Sequence, residues 1–255
     1  MKVFIQNRYS VRIKVGDISG PFWRELRVKD ITVDLVKEGN EYRMASIPDL
    51  KIDYRLSNLW RKKWVLDSMI VDHPSINVKG TPEGKTLLPS SPKRKIFPPA
   101  GLFDFKVERL KIKEGAFNYI SGEKQTTIDS LNLELSLSKE KDGIKADILD
   151  GDFTYTQKDF PVQQFSGSFW IANDSLLIKG MRVKTMDSDL EISGFIHNLQ
   201  TPQFSLSVQA TPVNLADIKR LTGVGLEGTM TVNGTCEGDF KEFGGEAALD
   251  GFLFE

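Results

Sequence analysis

The feature that most constrains this chain is a strict alternation over residues 226–240, LEGTMTVNGTCEGDF. Even-numbered positions are apolar or glycine, and odd-numbered positions are polar. A period of two is that of a β-strand, whose successive side chains point to opposite faces. We therefore predict a strand whose apolar face carries Leu226, Met230, Val232, Cys236 and Phe240.

Three glycines, Gly228, Gly234 and Gly238, occupy the remaining positions of that apolar parity. A glycine inside a strand marks a bulge, a bend or a close approach to the backbone. Here we interpret the missing side chains as space beside the apolar face, which an acyl chain could occupy.

The same alternation recurs along the chain. Two further sets alternate cleanly with polar residues: Leu131, Leu133, Leu135 and Leu137, and Phe204, Leu206 and Val208. A shift of one residue would turn either set to water, so we expect both sets on one concave surface. Between Val28 and Ile31 the parity slips, which predicts a bulged residue in that strand.

Only one segment has a convincing helical pattern, near residues 213–222. Asn214 can act as its N-cap, Leu215, Ile218 and Leu221 share a face, and Gly223 can end it. About fifteen short strands are predicted around it, and one helix cannot cover that much sheet.

The apolar faces must therefore be covered by the sheet itself. Spacing between strands varies, which argues against a solenoid of fixed period, and a single cysteine argues against an immunoglobulin-type sandwich. We predict an all-β fold: an elongated, curled antiparallel meander that forms an apolar groove, with one short inserted helix.

Proline content suggests how the chain is divided. Residues 81–101 hold five of its eleven prolines and cannot be regular structure throughout. We predict a β unit over residues 1–80, a proline-rich loop over 81–101, and a repeating β-groove over 102–255. Apolar strand-like sequence at both ends leads us to expect a segment of a longer protein.

Composition narrows the function. Lys and Arg number 34 against 35 Asp and Glu, so the net charge of −1 gives no general support for nucleic-acid binding. Cys236 is the only cysteine, and no window has the length and apolarity of a membrane-spanning helix. No motif of a catalytic, metal or cofactor site is present, so we expect a non-enzymatic protein without cofactor or metal.

Three local clusters have ordinary explanations. Arg61-Lys62-Lys63 lies between Trp60 and Trp64 and could contact an anionic lipid, although a solvated basic turn is the simpler interpretation. His73, between Asp72 and Pro74, is best explained as a strand-end kink. The alternating acidic residues Asp187, Asp189 and Glu191 fit the solvent-exposed face of a strand better than a calcium site.

The chain also resembles the AsmA/TamB-like family. The resemblance rests on residues 11–36 and 47–86, a glycine-bearing strand series ending in an apolar strand before Pro74, and on 189–223 and 226–251, a helix placed before a glycine-punctuated strand pair. It implies a repeating β-groove, a periplasmic location, and an inner-membrane anchor. It further implies a partnership with an outer-membrane barrel protein, through a C-terminal region that this sequence does not include.

Two functions follow from these expectations. The first is a non-catalytic lipid conduit or chaperone that shields phospholipid or other acyl chains and supports lipid transport to, or assembly of, the outer membrane. The alternative is a structural or adhesive β-protein whose apolar faces meet in a closed core without lipid.

Overall fold

The structure is a computed structural model that describes residues 3–6, 11–37, 40–60, 63–80, 104–121, 124–140, 143–172, 174–198, 202–225, 227–239 and 243–250. These residues are predominantly strand, with one short inserted helix near the predicted position, which confirms the all-β fold class. The chain forms two compact units, Met1–Lys139 and Glu140–Glu255. The predicted loop over 81–101 lies outside the described residues, and the strands before and after it belong to the first unit.

The first unit consists of strands of 3 to 18 residues and one turn of helix. Its strands are β1 (Val3–Gln6), β2 (Val11–Val15), β3 (Asp17–Ser19), β4 (Glu25–Lys37), β5 (Asn40–Tyr54), β6 (Lys63–Asp72), β7 (Ser75–Gly80), β8 (Asp104–Ser121) and β9 (Lys124–Glu140). Helix α1 (Leu56–Trp60) connects β5 to β6.

Most strand pairs in the first unit are antiparallel, including β4–β5, β5–β6 and β8–β9. β8 instead runs parallel to both β6 and β7. The predicted antiparallel meander is therefore interrupted at this point, and the sheet is mixed. A parallel pair needs a crossover of a dozen or more residues, and the chain between β7 and β8 is long enough to supply one.

A line of unusual backbone crosses the strands of the first unit. Asp30, His73, Glu114 and Ser130 all have left-handed φ angles, between 49° and 54°. The pairs Lys29–Asp49, Asp49–Asp72 and Asp72–Lys113 place Asp30, Pro48, His73 and Glu114 side by side, and Ser130 follows on β9. We call these five residues the crease.

The crease accounts for the parity slip seen in the sequence. Strict alternation would place residues five positions apart on opposite faces of the sheet. Three such pairs, Val28 and Val33, Leu50 and Ala45, and Val71 and Ile76, are nevertheless all apolar and are paired with apolar partners. A left-handed residue within a strand re-aims the side chains that follow it. The bulge predicted between Val28 and Ile31 is absent, because the pairing of β4 with β5 continues unchanged across Asp30 and shifts only between Val33 and Asp34. Between β8 and β9 the register shifts on both sides of Gly115.

The second unit contains shorter strands. These are β10 (Gly143–Tyr155), β11 (Phe160–Val162), β12 (Gln164–Ala172), β13 (Ser175–Lys184), β14 (Asp189–His197), β15 (Gln203–Asn214), β16 (Thr229–Asp239) and β17 (Phe243–Asp250). From β12 to β17, each strand pairs antiparallel with the next. β16 is the strand predicted from the alternation at 226–240.

Helix α2 (Leu215–Thr222) is the predicted helix, and its ends are formed as expected. The Asn214 side chain accepts a hydrogen bond from the Ala216 backbone, and Gly223 adopts the left-handed conformation that ends the helix. Leu215 is buried, and α2 packs against β11 and β15. This helix therefore covers one end of the second unit rather than a whole sheet face.

A buried polar cluster holds α2 in place. Thr185 Oγ1 and Ser188 Oγ donate hydrogen bonds to Asp217 Oδ2 over 2.5 and 2.7 Å. The Asn214 backbone nitrogen donates to Ser188 Oγ over 2.9 Å. Since Asp217, Thr185 and Ser188 are all buried, these bonds satisfy Asp217 Oδ2 and both hydroxyl groups, whereas Asp217 Oδ1 has no hydrogen-bond partner among the described residues.

Candidate functional site

The first unit carries a continuous apolar face. Residues paired directly across neighbouring strands lie on the same side of a sheet, so the pairing defines rows of side chains. Three rows run from β4 or β5 to β9: Val28–Leu50–Val71–Ile112–Leu133, Leu26–Ile52–Met69–Leu110–Leu135, and Tyr54–Leu66–Val107–Leu137. The predicted leucines Leu133, Leu135 and Leu137 end these rows, and Leu131 pairs with Gly115.

The opposite face of the same strands is charged. Lys51 Nζ lies 3.2 Å from Glu25 Oε2, Arg27 pairs with Asp49, and Lys111 Nζ lies 2.8 Å from Glu134 Oε2. The hydrogen bond from Arg27 lowers the pKa of the Asp49 carboxyl. One face of the unit is thus adapted to water and the other is not.

The second unit repeats the arrangement. Its apolar rows include Ile144–Ile171–Leu176–Ile196–Phe204, Ala146–Phe169–Ile178–Gly194–Leu206–Cys236, Met181–Ile192–Val208–Gly234, and Phe165–Val183–Leu190–Ala210–Val232. The structure therefore brings Phe204, Leu206, Val208, Val232 and Cys236 onto one face of β15 and β16.

The remaining predicted residues stand apart. Met230 pairs with Val213 beyond an irregularity in β15, and has the same parity as Val232. Leu226 and Phe240 lie outside the described residues. The relation between the leucines of β9 and the set on β15 remains a prediction, because they belong to different units.

The apolar side chains of these faces are mostly half-buried. Leu131, Leu133 and Leu137 in the first unit, and Phe204 and Val232 in the second, are neither enclosed nor fully exposed. Val107, Leu135 and Ile178 are buried.

The glycines of the second unit serve different purposes. Gly234 and Gly238 pair with Val208 and Phe204, so each lacks a side chain directly beside a large apolar one. At Gly194 the neighbouring strand fills the space, because an added Cβ would meet Ser205 O and would lie 2.8 Å from Leu206 Cα. The interpretation of glycine as free space therefore does not extend to Gly194.

The polar faces contain one contact that the sequence did not suggest. Ser175 Oγ lies 3.0 Å from His197 Nδ1, because the two residues are directly paired across β13 and β14. His73 Nδ1 lies 3.0 Å from Asp72 Oδ1 at the exposed kink. The first contact joins cross-strand neighbours and the second joins residues adjacent in the sequence.

In the described part of the chain, no group of three or more potential ligands is placed to hold a metal ion. Cys236 is a free, half-buried thiol. None of the helices among the described residues is long and apolar enough to span a membrane.

No family model, curated protein or solved structure matches this chain.

Proposed function

We propose that this protein is a non-catalytic lipid conduit or chaperone that shields acyl chains along its apolar faces. The observation that carries the proposal is the set of half-buried apolar rows, which continue from strand to strand opposite a charged face. In the described residues no helix lies over these rows, since α1 and α2 are short and contact β6, β11 and β15.

The physical basis is non-directional attraction. Burying apolar surface contributes roughly 25 cal/mol per Å², or about 0.8 kcal/mol for each CH₂ group removed from water. The rows present methyl, methylene and aromatic groups without fixed polar partners. A chain of methylene groups would therefore gain favourable burial free energy at every row without being held in one position. Such binding suits transport better than specific recognition.

The resemblance to the AsmA/TamB-like family supplies the wider proposal. We place the protein in the periplasm, with phospholipid as its cargo, an inner-membrane anchor, and outer-membrane lipid supply or assembly as its role. A barrel protein of the outer membrane would be its partner. Neither an enzymatic activity nor nucleic-acid binding is part of this proposal.

The decisive experiment compares two adjacent residues of β16. Val232→Lys puts a charge on the apolar face, and Asn233→Lys puts the same charge on the opposite, exposed face. Lipid bound after purification without detergent would be measured by mass spectrometry of organic extracts. Circular dichroism would report strand content and the thermal midpoint.

We expect Val232→Lys to remain folded and to lose most of its lipid, because a half-buried position lets the new ammonium group reach water. Asn233→Lys should keep both fold and lipid. In a closed core, Val232→Lys would bury an unpaired charge at a cost of several kcal/mol and would unfold the protein. Collapse of the midpoint, or absence of lipid from the unmodified protein, would favour the structural or adhesive alternative.

A further inference from the structure

The apolar face of the second unit is buried unevenly along its strands. The row that ends at Phe204 lies farthest from α2 along β15, and all its members are half-buried. In the next two rows Ile178 is buried and the other side chains are half-buried. At the α2 end, Ala210 and Leu215 are each only 2% exposed. Three further apolar side chains of that end are also buried: Phe160, Val162 and Val213.

The buried end is closed by α2 and β11. Helix α2 packs against both β11 and β15, and the Leu215 backbone nitrogen donates to Gly228 O over 2.9 Å, just before β16. The ring of Phe153, which pairs with Val162 of β11, packs edge to face against Phe165 at a centroid distance of 5.6 Å. The apolar side chains past the row of Ala210 thus form a small closed core.

The position of α2 depends on its anchor. The helix has 8 residues, and isolated helices shorter than about 12–15 residues are marginal in water. Its only buried charged side chain, Asp217, accepts hydrogen bonds from Thr185 and Ser188, in the turn between β13 and β14. Loss of the Asp217 carboxylate removes both bonds, so it should release α2 from this end of the sheet.

We propose that α2 is the end stop of the apolar face of the second unit. An acyl chain occupies the half-buried part, from the row of Phe204 to the row of Ala210, and α2 prevents it from extending further. Past Ala210 the apolar side chains are already packed against each other, so a methylene group would gain no further burial there. This role for α2 rests on the proposed function, because only a bound chain can be stopped.

The test compares a thiol on the half-buried part with a thiol in the closed core. Cys236 is the only cysteine of the chain and lies half-buried in the row of Leu206. The variant Cys236→Ala/Val213→Cys moves the thiol behind α2. Alkylation by N-ethylmaleimide would be followed by mass spectrometry, in lipid-loaded protein and after extraction of the lipid with cyclodextrin.

We expect extraction to speed the alkylation of Cys236 at least about tenfold, because bound lipid covers the thiol and alkylation requires an accessible one. The thiol at position 213 should react slowly in both states, with rates within about twofold of each other. Equal rates for Cys236 with and without lipid would overturn the end stop. So would a thiol at position 213 that lipid protects while α2 is docked.

Releasing α2 should lengthen the occupied part of the face. Adding Asp217→Ala to the variant with the thiol at position 213 should raise the alkylation rate of the extracted protein at least about tenfold. Lipid should then protect that thiol, because the chain can extend past Ala210. Asp187→Ala, at an exposed position of the same turn, is the control and should leave the thiol unreactive.

Circular dichroism would confirm that the released variant keeps its strands. If Asp217→Ala loses its strand signal, Thr185→Val removes one of the two hydrogen bonds and leaves that of Ser188. A folded variant whose thiol at position 213 stays unreactive, or reacts equally with and without lipid, would overturn the end stop.

The lipid content of the unmodified protein separates this test from that of the proposed function. Absence of lipid from its organic extracts would overturn both the lipid conduit and the end stop. Bound lipid that leaves Cys236 equally reactive would overturn the end stop alone.

Discussion

In both units, left-handed backbone interrupts the alternation of the strands, but the two units use different residue types at these positions. In the first unit the left-handed positions of the crease are Asp30, His73, Glu114 and Ser130, and in the second they include Gly167, Gly180 and Gly194. A left-handed conformation costs a residue with a Cβ roughly 1–2 kcal/mol, a cost that glycine avoids.

Space explains part of the difference. At Gly167 an added Cβ would lie 2.7 Å from Met181 Cα, and at Gly194 it would meet the backbone of β15. In the crease, the His73 ring contacts the neighbouring Asp72 carboxylate, and the Glu114 backbone nitrogen donates a hydrogen bond to Asn132 Oδ1 on β9 over 3.1 Å. Close approach of strands thus requires glycine at Gly167 and Gly194, whereas the first unit tolerates strain.

The largest effect is expected at Gly194. Gly194→Ala combines a φ of 138° with a backbone clash, so we expect a loss of about 3 kcal/mol or more in unfolding free energy. Urea denaturation followed by circular dichroism would measure it. A loss below about 1 kcal/mol would show that the strands at this point are not closely packed.

Gly180, on the neighbouring strand β13, provides the matched comparison. Its φ is 61°, and the nearest atom to an added Cβ is Glu191 Oε1 at 3.6 Å. Gly180→Ala therefore introduces conformational strain without a clash, and we expect a loss of about 1 kcal/mol in the same denaturation experiment. Equal losses at Gly180 and Gly194 would contradict the role given to close approach.

In the first unit, the strain is tested by replacing a left-handed residue with glycine. Glu114→Gly relieves the strain of a φ of 49°, and we expect a gain of about 0.5 kcal/mol after the added entropy of the unfolded chain. Lys113→Gly, one residue away, should instead lose about 0.5–1 kcal/mol. Should both variants lose stability equally, the left-handed position would carry no strain.

The smallest expected effect concerns the buried carboxylate of Asp34. Burial alone would raise the pKa of Asp34, but hydrogen bonds from Arg43 and Lys14 outweigh it and lower that pKa. The carboxylate therefore stabilises the fold above its unfolded pKa of about 3.9, and this contribution is lost as the pH falls through the folded value. Asp217 is held by hydroxyl groups instead.

We therefore expect Asp34→Asn to flatten the loss of stability between about pH 5 and pH 3, measured as thermal midpoints. Asp187→Asn, at an exposed turn, is the control and should keep the slope of the unmodified protein. An unchanged slope in Asp34→Asn would mean that other carboxylates determine acid sensitivity.

Alternation alone predicted much of this structure. It placed the strand at β16, the leucine face of β9 and the set on β15, and the cap residues Asn214 and Gly223 predicted α2. It could not predict the parallel pairing of β8, because alternation specifies which face a residue occupies and not which strand lies beside it. The partners of Asp217 are distant in sequence, so nothing local indicated them.

The crease was partly visible in the sequence. The slip between Val28 and Ile31 predicted a bulged residue, where the structure has left-handed Asp30 without an extra residue. His73 before Pro74 predicted a strand-end kink, which its left-handed φ confirms, whereas Glu114 has no comparable sequence signature. That they lie side by side depends on register, which follows from the pairing of whole strands.

The crease also resolves an ambiguity that alternation leaves open. A strand displaced by one residue exposes its apolar side chains and is rejected, but a strand displaced by two keeps every side chain on its proper face. With the parity slips of β4, β5 and β8 at one level, a displacement of two residues would set the slip of one strand against an unslipped stretch of its neighbour. We therefore expect the crease to disfavour registers displaced by two residues, which hydrophobicity alone would accept.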